Sequence, residues 1–158
     1  MDTHKKIEKL LWSIALPGFG QLLNRRYLKG LLFILLEILI NHMAKLNTII
    51  LLSFKGDITG AITAVNYQWL MFYPCVYMFA MWDAFRDAGG GRSPYATLLF
   101  VVPAYMATVG IMYSDTLKLF NALLGPVWLP MLFCFLGIML AAIIRKIITT
   151  LTSGFVSR

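Results

Sequence analysis

An acidic side chain, Glu37, lies in the middle of the apolar stretch from Leu28 to Leu52. At 1.5 Å per residue it lies about 14 Å along a helix, near the middle of a hydrocarbon core of roughly 30 Å. A carboxylate there costs at least about 2.5–3.5 kcal/mol, so it must face protein or water, be paired, or be protonated. The candidate partners of its carboxyl group are Gln21, Asn24, Tyr73 and Tyr77. Glu37 is therefore the residue best placed to serve an ion or proton path or a binding pocket.

Asn41 and Lys45 follow Glu37 at steps of four residues, which puts all three side chains on one helical face. The predicted intramembrane polar cluster consists of Gln21, Asn24, Glu37, Asn41 and Lys45. Its structural interpretation is a polar clamp between helices, since interhelical polar contacts contribute about 0.6–2 kcal/mol. This interpretation is favoured because an isolated intramembrane acid does not identify a substrate.

A second charged set, Asp83, Arg86 and Asp87, has i, i+3 and i, i+4 spacing, so its members are neighbours on a helix. Paired acids could catalyse, or bind a divalent ion together with Asp2 or Glu8. A solvated ion-pair cluster at a cytoplasmic helix end, which sets helix depth and offers a docking patch, is favoured.

The remaining residue types exclude several function classes. The chain has only two histidines, His4 and His42, and its cysteines, Cys75 and Cys134, both lie in apolar blocks. Neither a metal site nor a nucleophilic triad can be assembled from them. The net charge of +7 is concentrated in clusters at the ends of apolar blocks rather than on a nucleic-acid-reading face. The sequence predicts no catalytic residue, cofactor, metal or nucleic-acid partner.

The composition predicts an all-α integral membrane protein. Charged residues make up 13% of the 158 residues, against about 25% in soluble domains, and the mean hydropathy is +0.76. We expect a single membrane domain, residues 1–158, forming a four-helix transmembrane bundle. The predicted spans are about 28–52, 65–82, 95–113 and 126–144, and residues 145–158 form an interfacial tail.

The connections between these spans carry their own signals. Residues 53–66 and 114–125 are predicted to be loops. The helix of the second span should continue through Ala84–Ala88 and end at Gly89–Gly91, because glycine favours helix C-termini. Ala80, Ala84 and Ala88 recur every four residues, a spacing that permits close helix packing.

The first apolar run, residues 10–23, is too short to cross and is interrupted by Pro17-Gly18. It is predicted to be a broken re-entrant or interfacial segment, in which Gly18 permits the sharp turn. Gly18 and Gly20 are not followed by the Lys-Ser/Thr pair of a phosphate-binding loop, so the sequence does not predict such a loop here.

The distribution of positive charge supports this layout. With four spans and both termini cytoplasmic, eleven of the 14 Lys and Arg residues lie inside, and Lys45, Lys55 and Lys118 lie outside or near the outer interface. A fifth span at residues 10–23 would leave eight inside and six outside. The positive-inside rule therefore favours four spans.

Two motifs carry a resemblance to a known group of proteins. They are the string from Leu16 to Gly30, with Pro17-Gly18-Phe19-Gly20-Gln21 and Lys29-Gly30, and the helix end Trp82-Asp83-Ala84-Phe85-Arg86-Asp87-Ala88. Together they resemble small bacterial multi-pass membrane proteins related in style to the two-transmembrane-domain family. The resemblance covers roughly residues 10–88, and Leu23 stands where a Tyr is common. It implies a protein of the bacterial cytoplasmic membrane.

Two functions remain open. The first is a non-enzymatic accessory or scaffold protein that acts through the lipid bilayer and other membrane proteins, or through self-association. The second is a small transporter or channel subunit with an intramembrane polar site around Glu37.

Overall fold

The computed structural model describes residues 3–156, and the side chains of residues 3–152, so Asp2 and Arg158 lie outside the described residues. The chain is 76% helical. The helices are α1 (Thr3–Ala15), α2 (Phe19–Leu23), α3 (Tyr27–Ala44), α4 (Leu46–Phe54), α5 (Ile58–Ala64), α6 (Tyr67–Leu70), α7 (Tyr73–Asp87), α8 (Leu98–Met112) and α9 (Gly125–Val156). Two short antiparallel strands, β1 (Lys118–Leu119) and β2 (Ala122–Leu123), form a hairpin between α8 and α9.

The break predicted at Pro17-Gly18 is present, because α1 ends at Ala15 and α2 begins at Phe19. Proline cannot donate a backbone hydrogen bond, and Gly18 has a φ of 105°, a value that L side chains rarely adopt. A Cβ atom on Gly18 would lie 2.5 Å from the carbonyl oxygen of Gly30. The turn therefore packs directly against the first turns of α3.

The prediction of one unbroken helix over residues 28–52 is wrong. Helix α3 ends at Ala44 and α4 begins at Leu46, with Lys45 left-handed at a φ of 57°. Asn41 Nδ2 donates a hydrogen bond to Asn47 Oδ1 across the break, at 3.1 Å. The Asn66 amide donates to the carbonyl oxygen of Ala44, at 3.4 Å. The Asn66 amide thus occupies a carbonyl oxygen that a continuous helix would use, and the Asn41–Asn47 bond joins the two sides of the break.

The segment predicted as a loop, residues 53–66, contains helix α5. Asp57 caps this helix, because its carboxylate accepts a hydrogen bond of 2.8 Å from the Gly60 amide. The second apolar block then forms the single turn α6 before α7 begins at Tyr73.

Helix α7 ends as predicted, at the glycines that follow Asp87. The amide of Gly89, which has a φ of 79°, donates to Arg86 O, and the amide of Gly90 donates to Phe85 O. This pair of bonds is the Schellman arrangement that glycine favours at helix C-termini.

Helices α8 and α9 pack closely through reciprocal contacts. A Cβ atom on Gly110 would lie 2.7 Å from Pro130 Cα, and one on Gly137 would lie 2.7 Å from Pro103 Cα. Each helix thus places a glycine against the other's proline, which allows the backbones to approach. Helix α9 continues past residue 144, the predicted end of the fourth span, to Val156, so the described part of the predicted tail is helical.

Two helices of the described residues are long and apolar enough to cross a membrane, Tyr27–Ala44 and Gly125–Thr152. Only 28% and 22% of their most apolar windows are buried inside the chain, whereas the core helix of a soluble protein is mostly buried. Helix α8 is apolar but shorter. The chain is therefore mostly helical, and its two long apolar helices are compatible with a membrane location.

Candidate functional site

One face of α7 gathers the polar contacts of the N-terminal half of the chain. We call it the polar face of α7, and it consists of Tyr73, Tyr77, Ala80, Asp83, Ala84 and Asp87. These residues are three or four positions apart along the helix, which places them on one side. Their partners come from α1, α2, the turn before α3, and α3 itself.

The side chains of Gln21 and Asn24 join α2 to this face. Gln21 is fully buried, and its Nε2 donates to the carbonyl oxygen of Ala80 at 2.7 Å and to Asp83 Oδ2 at 3.2 Å. Asn24 Nδ2 donates to the carbonyl oxygen of Ala84 at 2.8 Å. The two alanines are completely buried, so their small side chains leave both carbonyl oxygens accessible to the amides.

Four charged residues continue the face toward solvent. Lys29 Nζ lies 2.7 Å from Asp83 Oδ1 and 3.3 Å from Asp87 Oδ2, and Arg26 Nε lies 3.5 Å from Asp87 Oδ2. Because Gln21 binds the other oxygen of Asp83, both carboxylate oxygens of that residue have donors. The two acids of the predicted charge cluster thus pair with cations of the N-terminal motif.

Arg86, the third member of that predicted cluster, lies elsewhere. Its side chain is exposed, and in residues 3–152 no ion pair links it to Asp83 or Asp87. Arg26 and Lys29 take its place. The sequence shows that the first motif is basic and that the second contains two acids, which is a complementary pair of charges. Spacing along one helix could not show that these two segments meet.

Two tyrosines extend the network away from the charged end. The Tyr73 hydroxyl donates to Glu37 Oε1 at 3.2 Å, and the Tyr77 hydroxyl donates to the carbonyl oxygen of Ile14. Ile14 lies in the last turn of α1, where helical carbonyls lack intrahelical partners. Glu37 is buried, and its Oε2 has no partner among the described side chains.

Hydrogen bonds divide the predicted intramembrane polar cluster into three groups. Gln21 and Asn24 bind the Ala80–Ala84 turn of α7, whereas Glu37 binds Tyr73, one of its four candidate partners. Asn41 binds Asn47 beside the helix break. The exposed residue Lys45 forms the break itself. Within the described part of the chain, no side-chain hydrogen bond joins these groups directly into one site.

Two cavities lie beside the polar face. An open groove of about 890 Å³ lies between α3, α7 and α8, and its lining is almost entirely apolar. A smaller cavity of about 230 Å³ lies between α4, α7, α8 and α9, where Tyr73, Tyr77 and Cys134 contribute to its wall. Among the described residues no group of three or more His, Cys, Asp or Glu side chains could hold a metal ion.

Comparison of the chain with protein-family models, curated proteins and solved structures finds no match. The resemblance to small bacterial membrane proteins therefore stays a prediction.

Replacing Glu37 separates its hydrogen bond from its charge. Glu37→Gln keeps an oxygen acceptor for Tyr73, so we expect a loss of less than about 1 kcal/mol of unfolding free energy. Glu37→Leu leaves the Tyr73 hydroxyl buried without its acceptor, and we expect a loss of about 1–3 kcal/mol. Unfolding in mild detergent, followed by circular dichroism, measures both.

The exposed acid Glu8 provides the matched control for these two variants. Glu8→Leu should unfold within about 0.5 kcal/mol of the parent, as surface substitutions do. Equal stability of Glu37→Leu and the parent would show that the Tyr73–Glu37 contact contributes nothing.

Proposed function

We propose that this protein is an integral membrane protein of the bacterial cytoplasmic membrane, with a re-entrant or interfacial N-terminal segment, four spans and both termini cytoplasmic. Three contacts support the arrangement. Lys29 pairs with Asp83, the rings of Trp82 and Phe100 are 5.3 Å apart, and Arg145 Nη2 donates to Ser93 Oγ at 2.9 Å. The start of α3, the end of α7, the start of α8 and the Arg145 turn of α9 thus share one end of the bundle.

The segments at this shared end carry seven of the 14 Lys and Arg residues, against three at the other end: Arg25, Arg26, Lys29, Arg86, Arg92, Arg145 and Lys146 against Lys45, Lys55 and Lys118. The positive-inside rule favours such an excess on the cytoplasmic side. At the other end, Trp128 Nε1 donates to the Ser53 carbonyl oxygen at 3.2 Å, near Lys55. Reporter fusions at Lys55, Gly90, Lys118 and Arg158 test the topology. We expect outside signals at Lys55 and Lys118 only. An outside signal at Gly90 or Arg158 would overturn the proposed layout.

Within that membrane, the protein acts as a non-enzymatic accessory or scaffold component that holds membrane partners. The observation that carries this proposal is that the two sequence motifs are hydrogen-bonded to each other. Gln21 and Lys29 of the first motif donate to Asp83 of the second, and Asn24 donates to the carbonyl oxygen of Ala84. These polar side chains of the two motifs fix the helices to one another, as expected of a rigid support.

Purification in mild detergent, with mass measurement of the intact complex, tests the scaffold proposal. We expect a stoichiometric membrane-protein partner or a defined oligomer of this chain. The Gln68→Glu variant, changed at an exposed residue outside the polar face, should retain the assembly. A monodisperse single chain, pure and without a partner under all mild conditions, would contradict the proposal.

One observation favours a second candidate, a small transporter or channel subunit built around Glu37. Glu37 Oε2 is buried without a partner among the described residues, and its neighbour Tyr73 lines the 230 Å³ cavity. An intramembrane acid beside a cavity is the usual mark of an ion or proton path. Proton or ion flux into vesicles that hold only this protein, abolished by Glu37→Gln, would establish this function over the scaffold.

A further inference from the structure

The 890 Å³ groove between α3, α7 and α8 has the dimensions of one membrane leaflet. Along α8 its wall runs from Thr97 to Thr108, eleven helical steps, or about 16 Å, and along α7 it runs from Trp82 to Cys75, or about 10 Å. Arg86 lies one turn beyond Trp82, so about 16 Å separates it from Cys75 along the axis. Half of a hydrocarbon core is about 15 Å. A groove of this length matches an acyl chain whose headgroup lies at the level of Arg86.

One basic side chain without an ion pair among the described residues, Arg86, lies at the mouth of the groove. Arg86 follows Trp82 by four residues and therefore continues the groove-lining side of α7 by one turn. On α3, Lys29 precedes the lining residues Leu32 and Phe33 by three and four positions. Lys29 is partly committed to Asp83 and Asp87, but the side chain of Arg86 is exposed and has no ion pair within residues 3–152. An anionic group at this mouth would meet a free guanidinium.

The wall itself offers few groups to a polar occupant. Apolar and aromatic side chains, among them Phe79, Trp82 and Phe100, form nearly all of it. The hydroxyl of Thr108, one of the few polar groups in the lining, already donates to the carbonyl oxygen of Ala104. The groove therefore suits a hydrocarbon chain rather than a polar solute.

We propose that this groove binds the acyl chain of an acidic phospholipid, whose phosphate is held at the mouth by Arg86. The proposal rests on the proposed membrane location. Arginine suits this role because its planar guanidinium binds phosphate oxygens in a bidentate manner. Lys29 is not counted on for this contact, because Asp83 and Asp87 already pair with it.

Quenching of Trp82 by brominated phospholipids tests the proposal. The protein is placed in vesicles of phosphatidylglycerol and phosphatidylcholine with identical chains, and one of the two lipids is brominated in each sample. The contribution of Trp82 is the fluorescence difference between the parent and Trp82→Phe. We expect brominated phosphatidylglycerol to quench this component with about fivefold higher apparent affinity, the selectivity of one basic side chain at a membrane surface.

Three variants separate the headgroup contact from the groove. Arg86→Gln should remove the preference for phosphatidylglycerol, and added salt should weaken it in the parent. Lys118→Gln, the same change of charge in the β-hairpin that follows α8, should leave the preference unchanged. Val101→Phe narrows the groove at an exposed lining residue, so quenching of Trp82 by both lipids should fall.

Each contrary outcome identifies what failed. Equal quenching by the two lipids, unchanged by Arg86→Gln, overturns the acidic-lipid site but leaves the membrane location intact. Absence of quenching by either lipid, with protein that does not float with the vesicles, overturns the membrane location and the lipid site together. Efficient disulfide cross-linking of Cys75 between two chains, in a Cys134→Ala background, would show that a second copy fills the groove and would overturn the proposal.

Discussion

Gln21→Glu is expected to lower the unfolding free energy by about 3 kcal/mol, because it buries a carboxylate among acceptors. Gln21 Nε2 lies 2.7 Å from the carbonyl oxygen of Ala80 and 3.2 Å from a carboxylate oxygen of Asp83. Exchange of this nitrogen for oxygen turns two hydrogen bonds into two repulsive contacts without changing the size of the side chain. Gln21→Leu only removes the bonds, so its loss should be smaller, about 1–3 kcal/mol.

Gln68→Glu is the matched control, because it makes the same chemical change at an exposed residue. We expect it to unfold within about 0.5 kcal/mol of the parent. Unfolding is followed by circular dichroism in detergent at neutral pH. If Gln21→Glu and Gln21→Leu lost the same stability, repulsion from Asp83 would play no part at this position.

Gly20→Ala is expected to cost about 2 kcal/mol or more, because helices α1, α2 and α7 meet at this residue. A Cβ atom on Gly20 would lie 2.0 Å from Ser13 Oγ, 2.5 Å from the Lys9 carbonyl oxygen and 2.7 Å from Ala84 Cβ. Insertion of a methyl group into packing this tight forces the helices apart. Gly20→Val should be still less stable, and both losses appear as lower midpoints of thermal unfolding in detergent.

A second change distinguishes crowding by Ser13 from crowding by the backbone. Ser13→Gly in the Gly20→Ala background removes the nearest atom but leaves the Lys9 carbonyl in place, so only part of the stability should return. Gly56→Asn is the control: a Cβ atom there meets nothing within 4 Å, and asparagine tolerates its left-handed φ of 81°. Full stability of Gly20→Ala would rule out the close approach of α1 to α2.

The sequence correctly predicted the helix breaks and helix ends that are set by neighbouring proline and glycine residues. Pro17-Gly18 breaks the N-terminal segment, and the glycines after Asp87 end α7, because backbone freedom and missing donors act within a few residues. Asp57, followed three residues later by Gly60, also carried a capping signal for α5 that the loop prediction overlooked.

Other features depended on partners that are distant in the sequence. The sequence around Lys45 did not predict a helix break. The contact from the Asn66 amide to the Ala44 carbonyl oxygen, which accompanies the break, forms only in the folded chain. Arg145-Lys146 suggested the end of a span, but a charged pair does not end a helix, and Arg145 instead contacts the Ser93–Pro94 segment.

The candidate site shows the same division. Glu37, Gln21 and Asn24 could be singled out because polar side chains in an apolar block need partners. Helical spacing alone could not assign those partners, because it gives no register between separate helices. Gln21 and Asn24 were expected to be candidates for Glu37 but bind the Ala80–Ala84 turn, and Tyr73 holds Glu37.

The bond from Gln21 to Ala80 joins residues 59 positions apart, which fixes the order in which the protein can mature on the ribosome. At roughly 5–20 residues per second, translation of that interval takes about 3–12 s. For those seconds the amide groups of Gln21 and Asn24 have no Ala80–Ala84 turn to bind. Gln21 and Asn24 therefore acquire these native contacts only after α7 has been synthesised. A nascent chain that stalls before α7 would display these amides to quality-control proteases.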